Sequence, residues 1–103
     1  LPKKIKAWKK HKLQTQNISV PVGEIILVIF DPRKESKTYS NIIVSKLGRP
    51  NDYKRVRIPP GVWYGFKCVG TTKALLVNCA DIPHDKNESV VIEYNDNIIP
   101  YNW

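Results

Sequence analysis

The sequence holds no methionine, only two cysteines and two histidines, and 9 acidic residues against 17 basic ones, and each shortage narrows what the chain can be. Two cysteines, Cys68 and Cys79, without a secretory signal are poor grounds for a disulfide framework, so a reduced, packed pair is expected. No apolar run approaches the roughly 20 residues of a membrane span, and the basic start is not followed by a signal-peptide core, so no membrane partner is expected. Sustained 3.6-residue periodicity with caps is missing, and eight prolines punctuate the chain too often for long helices. There is no internal repeat, low-complexity tract or interdomain linker, and 103 residues can bury one modest core but not two. The expectation is a single domain over 1–103. The chain opens at Leu1 and enters strand-like Ile5-Lys6-Ala7-Trp8 almost at once, which reads as a chain lacking some N-terminal residues.

The net charge of +8 points to an anionic partner or to a solvated basic surface. Its lysines cluster at Lys3, Lys4, Lys6, Lys9, Lys10 and Lys12, without the interleaved aromatics of a nucleic-acid groove. A local anionic ligand suits that cluster better than a long polymer, and nucleic acid is not the expected partner.

What is present is strand sequence. From Glu24 to Asp31 the residues Ile25, Ile26, Leu27, Val28, Ile29 and Phe30 form a short, continuous, β-branched apolar run, the pattern of a strand covered on both faces. Turn-type Val22-Gly23 and Asp31-Pro32-Arg33 bracket it. Further strands are expected at Ile5–Trp8, Gln16–Val20, Ser40–Ser45, Lys54–Ile58, Val62–Cys68, Ala74–Cys79 and Ser89–Tyr94. Turn signals at Gly48-Arg49-Pro50-Asn51-Asp52, Pro59-Pro60-Gly61, Val69-Gly70-Thr71 and Ile82-Pro83-His84-Asp85 separate them. Short strands at such even spacing predict an all-β sandwich or barrel.

Two segments carry the candidate chemistry, Lys9-Lys10-His11-Lys12-Leu13-Gln14 after one strand and Pro59-Pro60-Gly61-Val62-Trp63-Tyr64-Gly65-Phe66 opening another. The first resembles the His-x-His-x-x-x-Glu box of cupins with Lys9 in place of the first histidine. The second resembles the Pro-x-Gly-x-x-His box with Tyr64 in place of its histidine. The resemblance implies a cupin, a jelly-roll β-barrel, whose inward-facing polar residues from paired strands build a site within it. Metal-binding cupins use three imidazoles and a carboxylate, and this chain keeps at most His11 of those four, so no metal is expected. Lys9, protonated, would repel a cation.

A finer resemblance runs along almost the whole chain. Lys6-Ala7-Trp8-Lys9, Gln14-Thr15-Gln16, Gly23-Glu24, Asp31-Pro32-Arg33, Ser36-Lys37-Thr38-Tyr39, Ile58-Pro59-Pro60-Gly61 and the closing Asn95-Asp96-Asn97-Ile98-Ile99-Pro100-Tyr101-Asn102-Trp103 are similar, in order and spacing, to the dTDP-4-dehydrorhamnose 3,5-epimerases. In that family a 4-keto group acidifies the sugar's C3 and C5 protons. A histidine paired with an aspartate removes them, a lysine steadies the enolate and a tyrosine returns a proton. Such chemistry needs a base within reach of carbon-bound hydrogens and a positive or donor group at the developing oxyanion.

Three of the family's positions are substituted here: the base falls on Lys9, the enolate-stabilising lysine on Gln16 and the tyrosine near Ile82 or Pro83. A lysine base would need its pKa depressed by burial or by neighbours such as Lys10 and Lys12. The resemblance therefore implies a catalytic set of Lys9, His11 and Tyr64, with Asp96 as orienting carboxylate. It also implies a substrate-binding set of Gln14 and Gln16 for the sugar, with Lys6 and Arg33 serving the phosphates. The plain alternatives are a solvated Lys6, a His11 that merely satisfies the barrel wall, and Trp8 and Trp63 as packing.

A second set of relatives, the sugar-nucleotide 3,4-ketoisomerases, carries a run that His11-Lys12 and Gln16 also resemble, and the Ile-Pro-Tyr-x-Trp ending favours the epimerases. The resemblance implies a nucleotide-sugar ligand, no cofactor, a cytoplasmic location and a homodimer joined at sheet edges. A non-catalytic sugar-binding cupin and a basic barrel that binds polyanions are the competing classes.

Overall fold

The computed structural model describes residues 4–37, 39–48, 54–69, 73–81 and 86–103. The turn signals expected at residues 49–52, 70–71 and 82–85 lie outside these residues. Eight strands follow one another: β1 Ile5–His11, β2 Gln16–Val22, β3 Glu24–Phe30, β4 Ile42–Gly48, β5 Val56–Ile58, β6 Trp63–Val69, β7 Leu75–Ala80 and β8 Ser89–Val91. A short 3-10 turn, Lys86–Glu88, leads into β8.

The strands form two antiparallel sheets, one in the order β4-β3-β6-β1-β8 and one in the order β5-β2-β7. This is the jelly-roll arrangement of a cupin. The apolar run of β3 lies between β4 and β6, so both its edges are hydrogen-bonded, and a hydrophobic cluster lies on each of its faces. Ile25 and Leu27 face Ile18 and Val20 of β2 in the core between the sheets, together with Leu47, Ile58, Val62 and Tyr64. Val28 and Phe30 point the other way, into a second cluster with Trp8, Trp63 and Ile99, which the C-terminal Tyr101 and Trp103 cover. A continuous apolar run therefore serves two cores, which a strand with one wet face cannot do.

The boundaries shift in places. The first strand runs on to His11 rather than ending at Trp8. The fourth begins at Ile42 rather than Ser40, because Ser40 takes a positive φ of 66° in the turn that Ser40 N closes on Asp31 O at 2.8 Å. Cys68 is buried on β6 and Cys79 exposed on β7, in different sheets, and the two are not joined as a disulfide. No helix among the described residues is long and apolar enough to cross a membrane.

β1 and β6 position the candidate site. Their register pairs Lys6 with Phe66 and Lys9 with Tyr64, three residues along one strand against two along the other. In a regular strand residues 6 and 9 would face opposite ways, but the intervening bulge turns both toward the inner face that Tyr64 and Phe66 share. Gly65 sits opposite the bulge, where a Cβ would overlap Ala7 and approach Trp103 Cζ2 to 3.0 Å, so the close passage of the two strands requires a glycine.

Candidate active site

His11, the last residue of β1, pairs with Ser89 of β8, and its carbonyl accepts the N–H of Gly61 at 2.8 Å. Gly61 has a φ of 83°, the left-handed conformation that lets the Pro59-Pro60-Gly61 turn fold back against β1 and start β6. Through this contact the two candidate segments come together, residue 11 beside residue 64.

The His11 and Tyr64 rings lie nearly parallel, 14° apart in plane with centroids 5.9 Å apart. His11 Nε2 and the Tyr64 hydroxyl are 3.1 Å apart, and His11 Nδ1 lies 2.5 Å from Glu88 Oε1. All three side chains are buried. Glu88 Oε2 accepts the backbone N–H groups of Leu13 at 3.0 Å and Gln14 at 2.8 Å. Burial pushes the Glu88 carboxyl up, but the hydrogen bonds from His11, Gln14 and Leu13 and the attraction of His11 outweigh it and hold it down at about 2. Glu88 is thus an acceptor only, so the proton of a neutral His11 sits on Nδ1 and Nε2 accepts from the Tyr64 hydroxyl. Burial first, and the Glu88 charge second, push the Tyr64 phenol up to about 12 and keep it neutral.

Tyr64 borders a hollow of about 360 Å³ that is also lined by Lys6, Lys9, Phe66 and Val91. A second hollow, of about 280 Å³, shares Lys6 and Phe66 and adds Lys4, Ile25, Cys68 and Leu76. The inner side of β1, with Lys4 just before it, therefore brings Lys4, Lys6 and Lys9 to adjoining hollows. On the smaller sheet Gln16 Nε2 donates to Gln14 Oε1 at 2.9 Å, and Asn78 Nδ2 donates to Gln16 Oε1. Gln14 and Gln16 are both buried and border neither of the two hollows, and a neutral amide stands at Gln16, where the family resemblance would have a lysine.

Lys10 and Lys12 do not flank Lys9 as expected. Lys10 pairs with Trp63 on the opposite face, with its ammonium 4.8 Å from the indole centroid, because successive residues of a strand alternate sides. Lys12 is exposed and donates to Asn87 O at 2.9 Å. Arg33 borders neither of the two hollows. Its guanidinium is held by Asp31 in two bonds of 2.9 Å, which also raise its pKa. Asp96 lies in the C-terminal turn, where its carboxylate accepts Ile98 N at 3.0 Å, and the orienting carboxylate at His11 is Glu88. Sequence reasoning missed Glu88, which reaches His11 from 77 residues away on the 3-10 turn. Position 82 or 83, where the family tyrosine falls, lies outside the described residues. Among the described residues no three His, Cys, Asp or Glu side chains gather into a group that could hold a metal ion.

The model of the dTDP-4-dehydrorhamnose 3,5-epimerase family matches residues 5–103. A probable low-salt glycan biosynthesis epimerase of Haloferax volcanii is 33% identical over 78 residues, 75% of this chain and 49% of that protein. The crystal structure of a dTDP sugar isomerase from Desulfovibrio desulfuricans is 48% identical, with a TM-score of 0.98 over 100% of this chain and 66% of that one. A dTDP-4-dehydrorhamnose 3,5-epimerase from Bacillus anthracis, with TDP and PPi bound, shares the fold at 24% identity, with a TM-score of 0.85 over 99% of this chain and 59% of that one. The chain thus spans about half the length of the Haloferax protein and somewhat under two thirds of the two solved ones.

Proposed function

This chain belongs to the dTDP-4-dehydrorhamnose 3,5-epimerase family, and from that membership we propose that it binds a nucleotide-linked 4-keto sugar against β1 and β6 and epimerises it next to the keto group. The observation that carries the reading is the buried line Glu88–His11–Tyr64 ending at a hollow lined by Lys6 and Lys9. Removal of a C3 or C5 proton needs a base with somewhere to store the proton, and the imidazole between a carboxylate and a phenol supplies one. The enolate needs positive charge close by, which Lys9 supplies from its place opposite Tyr64. Lys6, at the junction of the two hollows, serves the diphosphate as a point charge. No metal or organic cofactor takes part in this reading.

The same reading places the protein in carbohydrate biosynthesis in the cytoplasm and makes it a homodimer. Exposed Ile43 and Val44 on β4, an edge strand of the larger sheet, supply apolar surface and a backbone edge that no other strand among the described residues pairs, for a second copy. The deciding experiment is incubation with a dTDP-linked 4-keto-6-deoxy sugar in deuterated water. Deuterium entering C3 or C5 supports the epimerase. Tight binding with no exchange overturns it and leaves a sugar-binding barrel.

A further inference from the structure

Resting on that reading, we propose that Tyr64 is the group that trades the proton with the sugar carbon, and that His11 acts behind it, taking up and returning the phenolic proton. The order of the groups carries this. Tyr64 borders the hollow with Lys6 and Lys9, whereas His11 is not among the residues lining it. Both nitrogens of His11 are engaged, Nδ1 by Glu88 and Nε2 by the Tyr64 hydroxyl. A carbon-bound hydrogen in the hollow therefore meets the Tyr64 side chain before it can meet the imidazole.

The sugar's C–H bond breaks and its proton forms a bond to the Tyr64 oxygen, while the original phenolic proton passes to His11 Nε2. The C–H electron pair moves into the sugar as an enolate on the former keto oxygen, beside Lys9. The imidazolium so formed is paired with the Glu88 carboxylate. Running the transfer backward returns a proton to carbon. A phenol pushed up to about 12 does not ionise alone at neutral pH, so the transfer to His11 accompanies proton abstraction. Tyr64 in this account is catalytic, and His11 and Glu88 are positioning residues that act through it.

The test uses Tyr64→Phe, His11→Gln and the double variant, with solvent deuterium entering C3 or C5 of a dTDP-4-keto-6-deoxy sugar as the rate and dTDP binding as the control for an intact site. Groups acting as one unit are not additive. Each single variant is expected to lose about 100-fold or more in exchange, and the double variant no more than the worse single one, with dTDP binding kept. Exchange in Tyr64→Phe close to the wild-type rate, alongside loss in His11→Gln, overturns the order of the two groups, and multiplying losses overturn the unit. Should the wild type itself fail to exchange, the epimerase reading falls. The relay is then read separately by ¹⁵N NMR of His11, which is expected to carry its proton on Nδ1 and to shift at Nε2 in Tyr64→Phe. An unmoved Nε2 overturns the relay as well.

Discussion

A carboxylate as deeply buried as Glu88 would take up a proton unless its neighbours offset the lost hydration, and here an imidazole and two backbone N–H groups do so. Its folded pKa of about 2 lies below the ordinary 4.5, so the ionised form is favoured by folding. That contribution is complete above 4.5 and is lost as the pH falls from 4.5 toward 2. Denaturant unfolding at a series of acid pH values is therefore expected to show wild-type stability dropping across this window, and Glu88→Gln dropping less. Parallel curves for the two proteins would mean that Glu88 has no special tie to His11. The sequence offered His11 and Tyr64 through motif position, but it could not offer Glu88, because a contact across 77 residues leaves no local pattern. Alternation along β1 separates Lys9 from Lys10, whereas the inward pair Lys6 and Lys9 depends on a bulge that composition does not announce.

Strands were legible because the apolar runs and turn residues that specify them are local. Each of the eight stretches expected to be extended contains a strand, with ends moved by a few residues where closure of a turn, as at Ser40, takes over from propensity. Sheet order and register were not legible, since they arise from pairing between distant segments. The crossing of β1 and β6 shows what register demands. Gly65→Ala places a methyl on Ala7 and against Trp103, both backed by buried Trp8, so the strands must part or the C-terminal segment must lift. Overpacking of this kind costs about 1–3 kcal/mol. The expected result is a lower unfolding midpoint in urea together with changed tryptophan fluorescence. An unchanged midpoint would show that the two strands do not pass as closely as Gly65 indicates. Leu27→Ala tests the other core at the middle of β3, where a fully buried side chain is removed between β4 and β6. A loss of about 2–5 kcal/mol is expected there, read by the same titration.

For the molecule as a whole, the question is whether the +8 charge is a diffuse basic coat or a cationic site for one ligand. The lysines near the N-terminus, adjacent in sequence, divide in the fold: Lys4, Lys6 and Lys9 line the adjoining hollows, Lys10 lies over Trp63, and Lys12 caps Asn87 O. Such a division gathers Lys4, Lys6 and Lys9 in one place, which on the proposed reading receives the diphosphate of the ligand. A ligand that binds only the folded state raises stability by mass action, about 2.7 kcal/mol when its concentration is 100 times its Kd. Added dTDP is accordingly expected to raise the melting midpoint of the wild type. Lys6→Ala should blunt that rise, whereas Lys34→Ala, at an exposed residue in the loop after β3, should leave it intact. A diffuse basic coat predicts the reverse: an unrelated polyanion such as heparin stabilises as well as dTDP, both effects vanish steeply with salt, and the two lysine variants behave alike. Thermal melts with dTDP and with heparin, at low and physiological salt, separate the two because only a built site can prefer the smaller anion.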